Sequence, residues 1–398
     1  MKHEPDTVAS PTARKYLRLH LADGVGPVRL ANLLKYFGSV DEILSAALSA
    51  LEKVDGVGPA TARAVFAARS DDRTEHEIDR AARLGLRILC LADPEYPPAL
   101  ARIPDPPVCL YVRGRFRPED RGAVSVVGTR RCSHYGSEQA RRFGALLAGA
   151  GFTVVSGLAR GVDGCAHEGA LEAGGRTIAV LANGLSEIYP PEHEPLARRV
   201  AAHGAVISET PLDAAPEQGN FPRRNRIVVG LGAGLLVVEA PKRSGALISA
   251  RLATEYNREV FALPGRVDTV QSFGTNRLIR DGAALVTCLE DILEELPAVE
   301  RKVVPASART GTSPAADHRD PPMPFDATPD EQAVLDALGT EEITLDALCR
   351  ACDIPVHRIT TALMSLQLRG AVRQFPGDRY ICRCTAEEAS AICPGESA

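Results

Sequence analysis

The chain has 398 residues, 45% of them hydrophobic, with a net charge of −5. That length predicts two to three domains. The acidic balance argues against a uniformly basic nucleic-acid binder but leaves room for a local patch. No apolar run reaches membrane-spanning length, and the opening M-K-H-E-P-D has no signal-peptide core. Ten Cys without a regular framework suit a reducing compartment, so a cytoplasmic protein is expected. Trp is absent, which disfavours long base-stacking platforms.

Residues 1–11 read as disordered, and a helical pattern starts at Ala13. A near-repeat follows, L-A-D-G-V-G-P-V-R-L-A-N-L-L from Leu21 and V-D-G-V-G-P-A-T-A-R-A-V from Val54. Gly permits a tight turn between helices and Pro suits the first helical position. The pair resembles tandem helix-hairpin-helix motifs, whose Gly-x-Gly amides can hold a phosphate; a plain helical domain with tight hairpins fits equally. Glu75–Gly85 reads as a helix and Leu86–Leu91 as a strand. The proline-rich stretch Asp93–Gly114 predicts an extended connector, with an edge strand at Val108–Val112.

From Ala123 apolar and helical runs alternate. Strands are expected at Val124–Val127, Phe152–Val155, Thr177–Leu181, Ala205–Ser208, Leu235–Val238 and Val260–Leu263. Helices are expected at Ser137–Ala150, Cys165–Ala173 and Leu247–Tyr256. Unbroken Val/Ile/Leu strands imply coverage on both faces. The fold class is therefore α/β, a doubly wound, Rossmann-like parallel sheet that binds ligands beyond its strand carboxyl ends. Residues 299–325 read as a flexible linker. Beyond it, Asp330–Leu338, Thr344–Ala351 and Val356–Arg369 read as helices before a hairpin, a winged-helix-like pattern. Its third helix offers His357, Arg358, Thr360, Thr361 and Gln367 to DNA; a protein-contact module fits as well. The expected domains are 1–84, 85–298 and 326–398.

Two Gly turns stand at the predicted carboxyl edge. Gly128-Thr129-Arg130, with Ser133-x-Tyr135-Gly136, has the amides, hydroxyls and guanidinium of an anion nest. Ser156-Gly157, with Arg160-Gly161 and Asp163, repeats the design; Asp163 can pair with Arg160 or cap the next helix. A third turn, Ser244-Gly245-Ala246, follows Lys242 and Arg243. Between them, F-P-R-R-N-R-I-V-V-G crowds three Arg at a predicted helix start, against the macrodipole. Phosphate-backbone contacts by Arg223, Arg224 and Arg226 are expected, with Phe221 stacking on a base. Asn225 can bond a base or cap the helix. From Val108 to Pro297 there are 22 Lys/Arg against 21 Asp/Glu, so polyanion binding there must come from the placement of Arg.

Catalytic chemistry is poorly signalled. No Walker motif, Ser-His-Asp set or paired carboxylates stand out, no cofactor is implied, and His167 reads as structural. Cys349-x-x-Cys352 and Cys382-x-Cys384 have metal-ligand spacing, but packed thiols are the commoner outcome.

Six motifs in order resemble the DNA-processing protein A family (DprA, also called Smf). They are Y-P-P-A-L at Tyr96, V-V-G-T-R-R-C-S-H-Y-G at Val126, V-S-G-L-A-R-G-V-D-G-C-A-H-E-G-A-L at Val155, F-P-R-R-N-R-I-V-V-G-L at Phe221, V-V-E-A-P-K-R-S-G-A-L-I-S-A at Val237, and P-G with G-T-N-R-L-I-R-D-G-A. The resemblance implies a SAM-like helical domain, an extended Rossmann-like core and a winged helix. It implies a non-enzymatic protein that binds and protects single-stranded DNA, loads RecA during natural transformation, and dimerises through its core. By the same resemblance Arg130, Ser156, Gly157, Arg160, Arg223, Asn225 and Arg226 match DNA-binding positions. The alternative is a nucleoside-monophosphate hydrolase of the lysine-decarboxylase-like group. Its P-G-G-x-G-T and acidic pair are replaced here by R-S-G-A-L-I-S-A, without the carboxylate.

Overall fold

A computed structural model describes residues 7–296, 327–338, 343–352, 354–369, 371–375 and 379–382. The chain divides into two units, Met1–Ala308 and Arg309–Ala398. The expected linker, 299–325, lies outside the described residues.

The first unit is built on nine strands: Arg87–Cys90 (β1), Cys109–Gly114 (β2), Ala123–Val127 (β3), Thr153–Ser156 (β4), Thr177–Val180 (β5), Ala205–Ser208 (β6), Gly234–Val237 (β7), Glu259–Ala262 (β8) and Ala284–Leu285 (β9). Their order is β1-β2-β6-β5-β4-β3-β7-β8-β9. From β6 to β9 every pairing is parallel, while β2 runs antiparallel to both β1 and β6. The expected edge strand is thus internal, paired with β1 on one side and β6 on the other, and its Cys109–Val112 is buried. The connector before it also holds a helical turn, Pro98–Ala101.

Alternation along the strands divides the apolar residues between two helical layers. Val124, Val126, Val154 and Leu236 pack with Phe143, Leu147 and Ala166, from helices His134–Gly149 and Val162–Glu172. Ala123, Val127, Val155, Leu235 and Val237 pack with Ile227, Val228 and Ala250, from helices Asn220–Leu231 and Gly245–Glu255. The strand order reverses between β3 and β7, which sets the crevice expected of such sheets outside their carboxyl ends.

The N-terminal helices pack directly on the sheet: Leu17 and Leu19 share a core with Cys90, Tyr111 and Val206. Residues 7–11, expected to be disordered, are ordered. Ser10 caps the helix Pro11–His20, and Ile88 N donates to Val8 O at 2.7 Å. The two hairpins form as the repeat predicts, with Gly24 and Gly56 at φ of 80° and 74° and Pro27 and Pro59 opening helices. Arg29 stitches them together, donating to Gly24 O (2.5 Å) and Gly56 O (2.8 Å).

The second unit carries helices Pro329–Leu338, Leu345–Ala351 and Val356–Leu368 with a three-stranded sheet. Val334, Leu348, Ile359, Leu363, Leu366 and Tyr380 make its core. On its third helix Arg358 forks onto Asp330 (2.7 and 2.6 Å), and the Thr360 and Thr361 hydroxyls donate back into the helix.

Candidate nucleic-acid interface

The first turn leaves β3 at Gly128, where a Cβ would stand 2.4 Å from the Val162 side chain. The Thr129 amide donates to Glu239 O at 2.9 Å. Ser133 caps the helix His134–Gly149, accepting from Gly136 N at 3.0 Å. The same serine donates from its hydroxyl (2.5 Å) and amide (2.9 Å) to the buried Glu239 carboxylate. Gly136 is needed there, because a Cβ would fall 2.2 Å from Glu239 Oε2. The nest read from the sequence exists, but a carboxylate of the chain itself already fills it.

The second turn is closed in the same way. Asp163 Oδ2 accepts from Gly157 N (3.2 Å) and Ala159 N (3.4 Å). Burial raises the Asp163 pKa, opposed by the Arg224 charge and these amides. Ser156 is fully buried and its hydroxyl donates to Val126 O at 2.6 Å, so it faces the sheet interior. Arg160 pairs with Glu192, not with Asp163, and both stay half-exposed. Such an exposed pair holds weakly and leaves Arg160 free to exchange partners.

The third segment is helical from its start, Asn220–Leu231, so its arginines occupy the first two turns. They go three ways. Arg226 points inward, ion-paired with Asp105 (3.3 Å) and Glu209, and donating to Asp105 O (2.5 Å). The sequence expectation for Arg226 is corrected on this point, since its donors are satisfied within the core. Arg223 is exposed and lines a concavity with Gly24, Val25 and Gly26 of the first hairpin. Arg224 is 6% exposed, and its Nε has no hydrogen-bond partner among the described residues. Burial lowers its pKa, offset by Asp163 and deepened by Arg130.

Arg224 meets Arg130, Gly157, Arg160, Asn183, Tyr189 and Phe221 around one small hollow. The Arg130 guanidinium sits over the Phe221 ring, 4.4 Å from its centroid, a cation–π contact. Tyr189 tilts against the same ring at 6.1 Å. The Ser244 turn lies apart, in a groove with Lys242, Arg243, Arg251 and Arg277. Ser244 caps the helix Gly245–Glu255, and Asn225 Nδ2 reaches Gly245 O at 3.5 Å. Sequence reading places Asn183 on this edge but misses Tyr189, which sits in the same loop beyond β5. An aromatic just past a strand end, in S-E-I-Y-P-P, was the available signal.

His167 is fully buried and its Nδ1 lies 2.6 Å from Thr177 Oγ1. That hydroxyl donates to Val154 O at 2.7 Å, so Nδ1 carries the proton and the Nε2 lone pair has no partner among the described residues. Burial holds its pKa down at about 3. Among the described residues no cluster of His, Cys, Asp or Glu is suited to a metal. Cys352 is packed, its Sγ 3.5 Å from Ala333 O, and Cys384 lies outside the described residues. No helix among the described residues is long and apolar enough to cross a membrane.

Residues 87–297 match the family model described as DNA recombination-mediator protein A. The chain belongs to that family. The family is one of recombination mediators and not of enzymes, which sets the hydrolase reading aside. Flanking matches are a SAM-like helix-hairpin-helix tandem at 18–69 and the DprA winged helix domain at 318–378. The chain is 36% identical to Protein Smf of Synechocystis over 379 residues, covering 90% of this chain and 95% of that one. It is 43% identical to Protein Smf of Escherichia coli over 288 residues, covering 72% and 75%. The X-ray structure of DNA processing protein A from Streptococcus pneumoniae is similar, with a TM-score of 0.63 and 32% identity. That match covers 71% of this chain and 98% of that one.

Proposed function

We propose that the carboxyl edge of the sheet binds single-stranded DNA, and that the chain delivers the covered strand to RecA in the processing of incoming DNA. The observation that carries this reading is Arg224. It is a buried guanidinium whose Nε has no partner among the described residues, flanked by Arg130 on Phe221 and by Arg160. A buried donor without an acceptor is costly, and a phosphate oxygen removes the cost. Because Glu239 and Asp163 fill both Gly nests, the contacts come from side chains and not from turn amides. Arg130, Arg160, Arg223 and Arg224 supply phosphate contacts, and Asn225 with the Ser244-Gly245 turn extends the track. Phe221, already covered by Arg130 on one face, supplies the stacking surface. Gly128 and Gly157 matter by letting Val162 and Arg224 approach. Arg226 and Ser156 hold the architecture instead of the strand.

The test is fluorescence anisotropy of a labelled oligo-dT across a salt series. Affinity falls linearly in log–log form, and removing one phosphate contact flattens the slope by about 0.7. Arg130→Ala and Arg224→Ala weaken binding and flatten the slope; unchanged affinity in both overturns the assigned groove. Homodimerisation through the core is tested by sedimentation, and delivery to RecA by the rate of RecA assembly on precoated single strands.

A further inference from the structure

At the other edge of the sheet, the segments leading into β3, β7 and β8 frame a second cavity of about 580 Å³. That size is typical of sites for small organic ligands. Its lining combines apolar surface from Tyr96, Phe116 and Leu231 with the guanidinium groups of Arg102, Arg121 and Arg258. The two carboxylates in the wall are already engaged. Glu95 pairs with Arg87 at 2.6 Å, and Asp120 pairs with Arg176 at 2.9 Å. Arg102 and Arg121 are exposed, and neither has an ion pair among the described residues. Among the described residues Arg258 donates only a long bond, 3.4 Å, to Gly230 O, and its buried Nε has no acceptor. Burial and the like charge of Arg102 both work against its protonated form.

A cavity with an apolar floor, an excess of guanidinium groups and a buried donor lacking an acceptor lacks one component, an anion attached to a flat apolar body. We propose that this cavity binds a phosphorylated nucleoside, with its phosphate on Arg258 and Arg102 and its base against Phe116. The site is separate from the groove at Arg224 and does not depend on that groove being the DNA track. The same chemistry has two sources, a free mononucleotide or the 5′-phosphorylated end of a DNA strand.

The experiment is calorimetric titration of the full chain with AMP and, separately, with inorganic phosphate, repeated for Arg258→Gln and Arg102→Gln. Arg102 is exposed, so its variant keeps the fold even if Arg258→Gln does not. Saturable AMP binding, weakened at least tenfold by Arg102→Gln and unchanged by Arg224→Ala, is the expected result. In the Arg224→Ala background, a 5′-phosphorylated oligonucleotide is then compared with its 5′-hydroxyl twin. A preference for the phosphorylated strand that Arg102→Gln abolishes supports the strand-end source; AMP binding without that preference supports the free nucleotide. Phosphate binding as tightly as AMP overturns the nucleoside assignment. Failure of both AMP and the phosphorylated end to bind in an Arg102-sensitive way overturns the site.

Discussion

The guanidinium of Arg224 lies across Gly157 so closely that a Cβ at that glycine would stand 1.4 Å from Nη1. The glycine in the second turn is therefore a seat for an arginine from another segment, 67 residues later in the chain. Gly157→Ala must move Arg224 or the turn. Its single-strand affinity should fall about as far as that of Arg224→Ala, with a stability cost of about 1–3 kcal/mol from overpacking. Oligo-dT anisotropy beside urea unfolding checks both; wild-type affinity in Gly157→Ala would separate the seat from the groove.

Arg223 and Arg226 sit three residues apart but should behave oppositely. Arg226→Ala leaves Glu209, whose side chain is 14% exposed, without its cation and should cost about 3–5 kcal/mol, the usual penalty for breaking a largely buried pair. Arg223→Ala, at an exposed position, should change stability by under about 0.5 kcal/mol while weakening DNA binding. Chemical denaturation of the two variants decides the matter, and equal stability losses would contradict the division of roles.

Glu239 fills the first nest by accepting two hydrogen bonds from Ser133. Glu239→Gln replaces an acceptor with an amide that can offer only one oxygen, so a loss of about 1–3 kcal/mol is expected. Affinity for single strands should not change, because no strand contact is assigned to this nest. Stronger binding in the variant would show that the carboxylate had been repelling the strand.

Acid should destabilise the protein partly through His167 and His20. Burial depresses their folded pKa values to about 3 and about 4, below the ordinary 6.5. The unfolded chain therefore binds more protons between these values, and the stability present above pH 6.5 is lost as pH falls. The slope approaches about 1.4 kcal/mol per pH unit for each histidine. Asp163 and Glu209, raised by burial, act in the opposite sense at the acid end. His167→Gln should flatten the fall in Tm between pH 6.5 and 4.5; an unchanged pH profile would contradict the buried, neutral histidine.

Much of this architecture was legible in the chain. Strands such as Val124–Val127 announce themselves because a run buried on both faces must be apolar throughout, and G-V-G-P marks each hairpin because few sequences turn that tightly. The antiparallel placement of β2 was not legible. A buried internal strand and a short edge strand have the same local composition, and only the pairing partners, here β1 and β6, tell them apart.

The site divides along the same line. By itself the sequence determined that the first two Gly turns stand at the carboxyl edge, because strand ends and Gly turns are local signals. What fills the turns, and which of Arg223, Arg224 and Arg226 faces outward, was decided by the tertiary structure. Glu239 reaches the first nest from a segment 106 residues away, Asp163 folds back from the helix that follows the second, and Asp105 and Glu209 draw Arg226 inward. A charged side chain settles wherever its counter-charge and its desolvation cost balance. That balance depends on neighbours distant in the chain, which no local pattern records.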